Sequence, residues 1–220
     1  MPRFLSAASL AAALLLAACG NVGDAPQAEV SAVDAAERPA AFRGTPLPID
    51  TAASAVEWTG AKVTGSHDGG FRSFDGVIYV DGAEVTGVDV RIDATSLYSD
   101  NADLTQHLLS PDFFEAETYP EARFVAATIR PVTEADAAPE GMTHMVTGTL
   151  TMRGQSNQVT FPARTSVQDG RATATADFII NRQDWGITYP GRPDDLIRND
   201  VRVRINAMTA PATANAALTP

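Results

Sequence analysis

The residues best suited to chemistry fall in one glycine-rich stretch, Gly65-Ser66-His67-Asp68-Gly69-Gly70, where an imidazole stands beside a carboxylate. Such a pair has the residue types for general base work, and it would suit a hydrolase or isomerase. The rest of that machinery is not written nearby. No Gly-x-Ser-x-Gly elbow presents a nucleophilic serine, and the single cysteine, Cys19, lies far upstream behind an apolar leader. The three histidines, His67, His107 and His144, lack the close spacing of a zinc motif, so neither a metal site nor a cofactor is expected. Asp68-Gly69-Gly70 reads as a tight turn rather than a phosphate cradle, because no helix follows it. Asp194-Asp195 reads as a solvated turn. No catalytic residue is assigned, and His67 with Asp68 carries the enzymatic alternative.

Composition narrows the remaining classes. The 220 residues are 45% hydrophobic and 20% charged, which suits a soluble globular domain. Acidic residues number 27 against 16 basic ones, for a formal charge of −11, and Lys62 is the only lysine. An acidic chain without a basic run repels phosphate backbones, which argues against nucleic acid as a partner. One cysteine excludes an intrachain disulfide and any cysteine-built metal cluster.

The first 18 residues read as a signal peptide: Arg3 precedes an almost wholly apolar run too short to span a bilayer. The run ends in Leu16-Ala17-Ala18-Cys19, which matches the bacterial lipobox and marks Cys19 as the lipidated mature N-terminus. Acyl chains there would hold the protein stably on a membrane. Gly20 in place of an aspartate after the cysteine points to the outer membrane of a Gram-negative cell, and so to the periplasm. Residues 19–50 hold four prolines, many alanines and no regular apolar period, so a flexible tether is expected, with a second loose segment at 211–220.

Residues 51–210 form the folded domain. Val88, Val90 and Ile92 alternate with Asp89, Arg91 and Asp93, and Val201, Val203 and Ile205 alternate with Arg202, Arg204 and Asn206. Strict alternation marks half-buried strands with one wet face. Looser versions recur at 55–63, 70–80, 123–130, 144–152, 157–166 and 172–180, giving about eight strands punctuated by Asp81-Gly82, Gly141 and Asp169-Gly170. Two segments interrupt the pattern. Asp100 is placed to cap a helix over Ala102–Leu109, with Ser110-Pro111 restarting a turn that carries Phe113 and Phe114. Asn181–Asn199, with Trp185 and Tyr189, is irregular enough to lie across one end of a barrel.

Five segments taken in order resemble one family. They are Thr64-Gly65-Ser66-His67-Asp68-Gly69-Gly70-Phe71, Leu104-x-x-His107-Leu108-x-Ser110-Pro111-Asp112-Phe113-Phe114, and Tyr119-Pro120-x-Ala122-x-Phe124. Gly148-Thr149-Leu150-Thr151-Met152-Arg153-Gly154 and Ile180-Asn181-Arg182-x-Asp184-Trp185-Gly186-Ile187 complete the series. Over roughly Thr51 to Thr209 the chain is similar to the YceI-like family of lipid- or polyisoprenoid-binding proteins. The resemblance implies an all-β fold with a short helical insertion, an extended eight-stranded antiparallel barrel of lipocalin-like form with a long apolar cavity. It also implies a periplasmic or secreted carrier of a long isoprenoid or similar lipid, without defined catalytic residues.

On that reading the cavity candidates are Trp58, Phe71, Phe74, Phe113, Phe114, Phe124, Phe161, Phe178 and Trp185, each of them also an ordinary core type. His67, Arg182 and Asp184 are head-group candidates at the mouth, with an Arg182–Asp184 pair fixing the loop as the rival role. Small residues in strand-like runs, Ala172, Ala174, Ala176 and Gly148, would leave room inside. Periodicity does not orient the barrel, so whether they face inward stays open, as does homodimerisation. Beside the carrier stand two other classes, the His67/Asp68 enzyme and a ligand-free envelope module that binds proteins.

Overall fold

The computed structural model describes residues 21–33 and 42–211. Cys19, the expected signal peptide before it and the tail from residue 212 lie outside the described residues. Among the described residues there are thirteen strands and one α-helix. The chain runs through β1 (Glu29–Ala32), β2 (Thr45–Pro48), β3 (Ala55–Lys62), β4 (Gly65–Phe71), β5 (Phe74–Asp81), β6 (Glu84–Asp93) and β7 (Leu97–Ser99) to α1 (Ala102–Leu109). Beyond it come β8 (Glu121–Pro131), β9 (His144–Met152), β10 (Gln155–Gln168), β11 (Arg171–Asn181), β12 (Gly191–Arg192) and β13 (Asp195–Met208).

One curled antiparallel sheet takes the order β2-β5-β6-β8-β9-β10-β11-β13-β3-β4-β7. It curls until Ile49, just past β2, bridges Thr209, just past β13. Backbone bonds from Asp50 N to Met208 O (2.8 Å) and from Ala210 N to Pro48 O (3.1 Å) seal that end. The eight alternating segments are all strands of this wall, and their apolar rows turn inward. Val203 pairs with both Trp58 and Phe178, and Ile205 with Val56 and Ala176. Phe161 and Phe178 stack face to face at 4.1 Å, with Phe124 tilted against Phe161 at 5.6 Å. The wet rows carry charge pairs instead: Arg123 forks onto Asp89 (2.9 and 2.7 Å) and Arg202 onto Asp177 (2.7 and 2.6 Å). Asp169-Gly170 makes its hairpin with both residues at positive φ (51° and 68°), the two-residue turn that matches strand twist.

Much of the expected tether is wall. β10 pairs with β9 over Gln155–Ala163 but with β11 only over Ala163–Gln168, so its other edge stands open from Asn157 to Thr160. β1 fills that opening in antiparallel register, Glu29 to Thr160 through Ala32 to Asn157, while Gln27 bridges Ile179 of β11. Ala28 is buried there against the main core. Open edges leave backbone donors and acceptors unpaired, and closing this one orders a segment with no apolar period of its own. At the sheet's rim β2 pairs with β5 despite Pro46 and Pro48, since an edge strand tolerates missing donors. Leu47 is buried in that strand, and Phe42 stacks on Tyr79 at 4.1 Å.

One further expectation changes. The helix is capped by Asn101, whose Oδ1 accepts from Leu104 N at 2.9 Å, not by Asp100. The turn expected from Ser110-Pro111 follows Leu109, with Ser110 O accepting from Phe113 N (3.0 Å) and burying Phe113 against Leu97, Leu108 and Ile187.

Candidate functional site

The inward rows enclose a cavity of about 680 Å³. Small-molecule sites occupy roughly 300–1,000 Å³ and are mostly apolar with a few placed polar groups. Room comes from small residues where strands meet. Ala163 faces Ala176 and Ala174 faces Ala207 across their ladders, and all four line the space with Gly60. Trp58, Phe71, Phe74, Phe113, Phe114, Phe124, Phe161 and Phe178 line it as well. Ala172 is fully buried in the cluster of Leu47, Ile78 and Val85 that plugs the far end. Trp185 is no part of the lining: it is fully buried in the main core beside the lining residues, and its Nε1 donates to Leu150 O at 3.0 Å. The Trp58 indole nitrogen is buried without an acceptor among the described residues.

Polar groups gather at the end where β3 turns into β4 and α1 lies across the opening. Lys62 Nζ donates to Asp195 Oδ2 at 2.5 Å, and Thr64 adds its backbone N–H and hydroxyl to the same carboxylate. The Lys62 bond, helped by Thr64, holds the Asp195 carboxyl below its ordinary range. His107 bonds Asp112 at 2.9 Å and sets its ring edge-on to Phe113 and Tyr189, each 5.0 Å away. The side chains of Lys62 and His67 remain 37% and 33% exposed, so the cavity opens here.

Strand geometry separates the expected His67–Asp68 pair. The glycine-rich stretch is strand β4, not a turn; the turn is Val63-Thr64. Side chains alternate along a strand, so His67 faces the cavity while Asp68 faces out. There Asp68 accepts from Thr59 Oγ1 (2.5 Å) and lies 3.4 Å from Arg204. The carboxylate that meets His67 is Asp100, with Nδ1 to Oδ1 at 2.8 Å. Among the described residues the imidazole bonds no serine, threonine or cysteine.

Arg182 and Asp184 do not pair. Arg182 is buried, donating Nε to Arg198 O (3.1 Å), Nη1 to Ile187 O (2.7 Å) and Nη2 to Asn199 Oδ1 (3.4 Å). It thus ties the irregular segment together, as its rival role had it, but through neutral oxygens. Burial pulls its pKa below the ordinary arginine value. Its charge lies at the cavity wall, and among the described residues no carboxylate is bonded to it. Asp184 stays outside the lining, and its backbone carbonyl accepts from Asn157 Nδ2 at 2.7 Å. Sequence reasoning gave Lys62, Asp100 and Tyr189 no part in the site, and it read Asp195 as part of a solvated turn where the structure has it in β13, largely buried against Lys62. Lys62 carried a usable signal, since it continues the inward row Val56, Trp58, Gly60 at spacing two.

A curled antiparallel barrel with a helix at its opening and an apolar space within is of lipocalin-like build, a wall arranged around an interior. The chain belongs to the YceI-like family: residues 47–209 match the model of the YceI-like domain. A UPF0312 protein of Pseudomonas putida (strain GB-1) is 33% identical over 143 residues, 61% of this chain and 71% of that protein. Solved structures share the fold. BcnA of Burkholderia cenocepacia aligns at TM-score 0.59 and 23% identity, covering 74% of this chain and 99% of its own. A polyisoprenoid binding domain from Saccharophagus degradans, implicated in plant cell wall breakdown, aligns at 0.56 and 19%, covering 74% and 98%.

Proposed function

We propose that this protein binds and carries a long apolar amphiphile, a polyisoprenoid, isoprenoid quinone or similar lipid, while anchored in the cell envelope through an acylated Cys19. The observation that carries the reading is the apolar cavity of about 680 Å³ with its polar groups collected at one opening. A tail would lie among Phe124, Phe161 and Phe178, and a head group would meet His67 and the positive charge of Arg182 at the mouth. Family membership supports the reading, as does the polyisoprenoid binding domain of the same fold. The lipobox supports the periplasmic, outer-membrane location. His67 beside Asp100 is the observation that favours hydrolysis or isomerisation of a lipid, yet its ring bonds no nucleophile.

The test is solvent extraction of the Cys19→Ser protein purified from its native host, followed by mass spectrometry. A stoichiometric lipid with a long apolar tail is the expected result. An empty barrel that also takes up no isprenoid alcohol or quinone in vitro overturns the carrier, and turnover abolished by His67→Ala replaces it with an enzyme.

A further inference from the structure

The large hydrophobic residues that stand exposed among the described residues are Val63 and Leu196, at 41% and 49%. They are neighbours: Val63 N donates to Leu196 O at 3.1 Å. Val63 begins the β3–β4 turn and Leu196 follows Asp195, so the pair sits on the rim directly beside the Lys62–Asp195 bridge. The two stand together at the opening of an apolar cavity rather than scattered singly over the surface.

The chain's own path says what that surface meets. Val22 is buried against Ala61 and Ile179 on the outside of the barrel, and its carbonyl accepts from Arg202 Nη1 at 3.4 Å. Ala61 lies two residues before Val63. Val22 therefore packs at the mouth end of the wall. Cys19 is three residues before Val22, a span of about 10 Å when fully extended. An acyl anchor there reaches the bilayer only within about that distance of Val22. The charges beside the rim, Lys62, Arg192 and Arg198 against Asp100, Asp112, Asp194, Asp195 and Asp200, leave it slightly acidic and without a basic cluster. Such a rim offers no pull toward anionic headgroups and suits a zwitterionic membrane surface.

We propose that the barrel stands mouth-down on the bilayer, with Val63 and Leu196 in the lipid interface and the anchor beside them, so that the ligand passes between membrane and cavity without crossing water. The proposal rests on the reading of Cys19 as acylated.

The test uses the full-length protein, processed in its host and reconstituted in phosphatidylcholine vesicles. A solvent-sensitive fluorophore is attached at Leu196→Cys or, at the opposite end, at Glu134→Cys; the acylated Cys19 thiol does not compete for label. Emission from position 196 should shift to the blue and be lost to nitroxide-bearing lipids, while position 134 stays aqueous. An intact mass without acyl chains refutes the anchor and this proposal with it. An acylated protein whose position 196 stays aqueous, or whose two positions are quenched alike, refutes the mouth-down pose alone. Position 196 shielded without lipid quenching, in a protein that elutes as a dimer, gives the rim to a second copy and also overturns it.

Discussion

Gly69 lies beneath the indole of Trp58, so close that a β-carbon there would overlap indole atoms Cζ2 and Cε2 and the carbonyl oxygen of Tyr98. The two residues face each other across the β3–β4 ladder. A bare backbone at position 69 lets the largest side chain of the cavity wall lie flat on it. It also lets β7 pair closely on the other side, where Gly69 faces Ser99. Gly69→Ala is accordingly expected to lower stability by about 1–3 kcal/mol through overpacking. It should also tilt Trp58 into the cavity and weaken binding of a fluorescent isoprenoid. Urea denaturation and ligand titration check both effects, and an unchanged midpoint would show that Trp58 and β7 give way freely.

The amino-terminal segment makes an independent test of the wall. Ala28 is 5% exposed and packs in the main core. Ala28→Asp should cost at least about 1–3 kcal/mol, because it buries a polar group without partners. A free tether would tolerate the same substitution with no change in the thermal midpoint.

Acid should loosen the mouth before the barrel. The bond from Lys62 holds the folded-state pKa of Asp195 below the ordinary carboxylate value of about 3.9. A depressed carboxylate pKa contributes stability that is present above the unfolded-state value and lost as pH falls through the folded-state one. The contribution of this bridge is therefore complete above about pH 4 and disappears below it. Stability of wild type and Lys62→Met, measured from neutral to strongly acid pH, should converge at the acid end. A gap that stays constant with pH would mean that Asp195 does not titrate in the bridge.

If the cavity takes a long apolar ligand, affinity should come mainly from the tail. Each buried methylene contributes about 0.8 kcal/mol, while one hydrogen bond at the mouth adds about 0.5–1.5 kcal/mol. His67→Ala should then weaken binding less than the loss of one isoprene unit does. Titration against isoprenoid alcohols of rising length checks this, and a flat length dependence would contradict it.

What was legible in the sequence is the part governed by local alternation. Val88, Val90 and Ile92, like Val201, Val203 and Ile205, had to share a face, and eight aromatic candidates follow onto the cavity wall. What was not legible depends on partners distant in the chain. β1 is a strand only because β10 leaves an edge open, and nothing between Glu29 and Ala32 announces it. Glycines 69 and 70 read as a turn because their strand role is steric, set by Trp58 and Tyr98. Arg182 and Asp184 are close in sequence, but a short 3-10 turn over Arg182–Trp185 sends the guanidinium to carbonyls across the loop. Trp185 was misplaced for the same reason, since that turn buries it in the main core without bringing it to the cavity surface.

The solitary lysine has a chemical consequence. With Lys62 at the opening and no other lysine in the chain, reagents that seek side-chain amines find a single target, bridged to Asp195 and adjoining the cavity. The protein thus carries one amine placed as a covalent reporter, whose rate of modification should change with whatever fills the doorway.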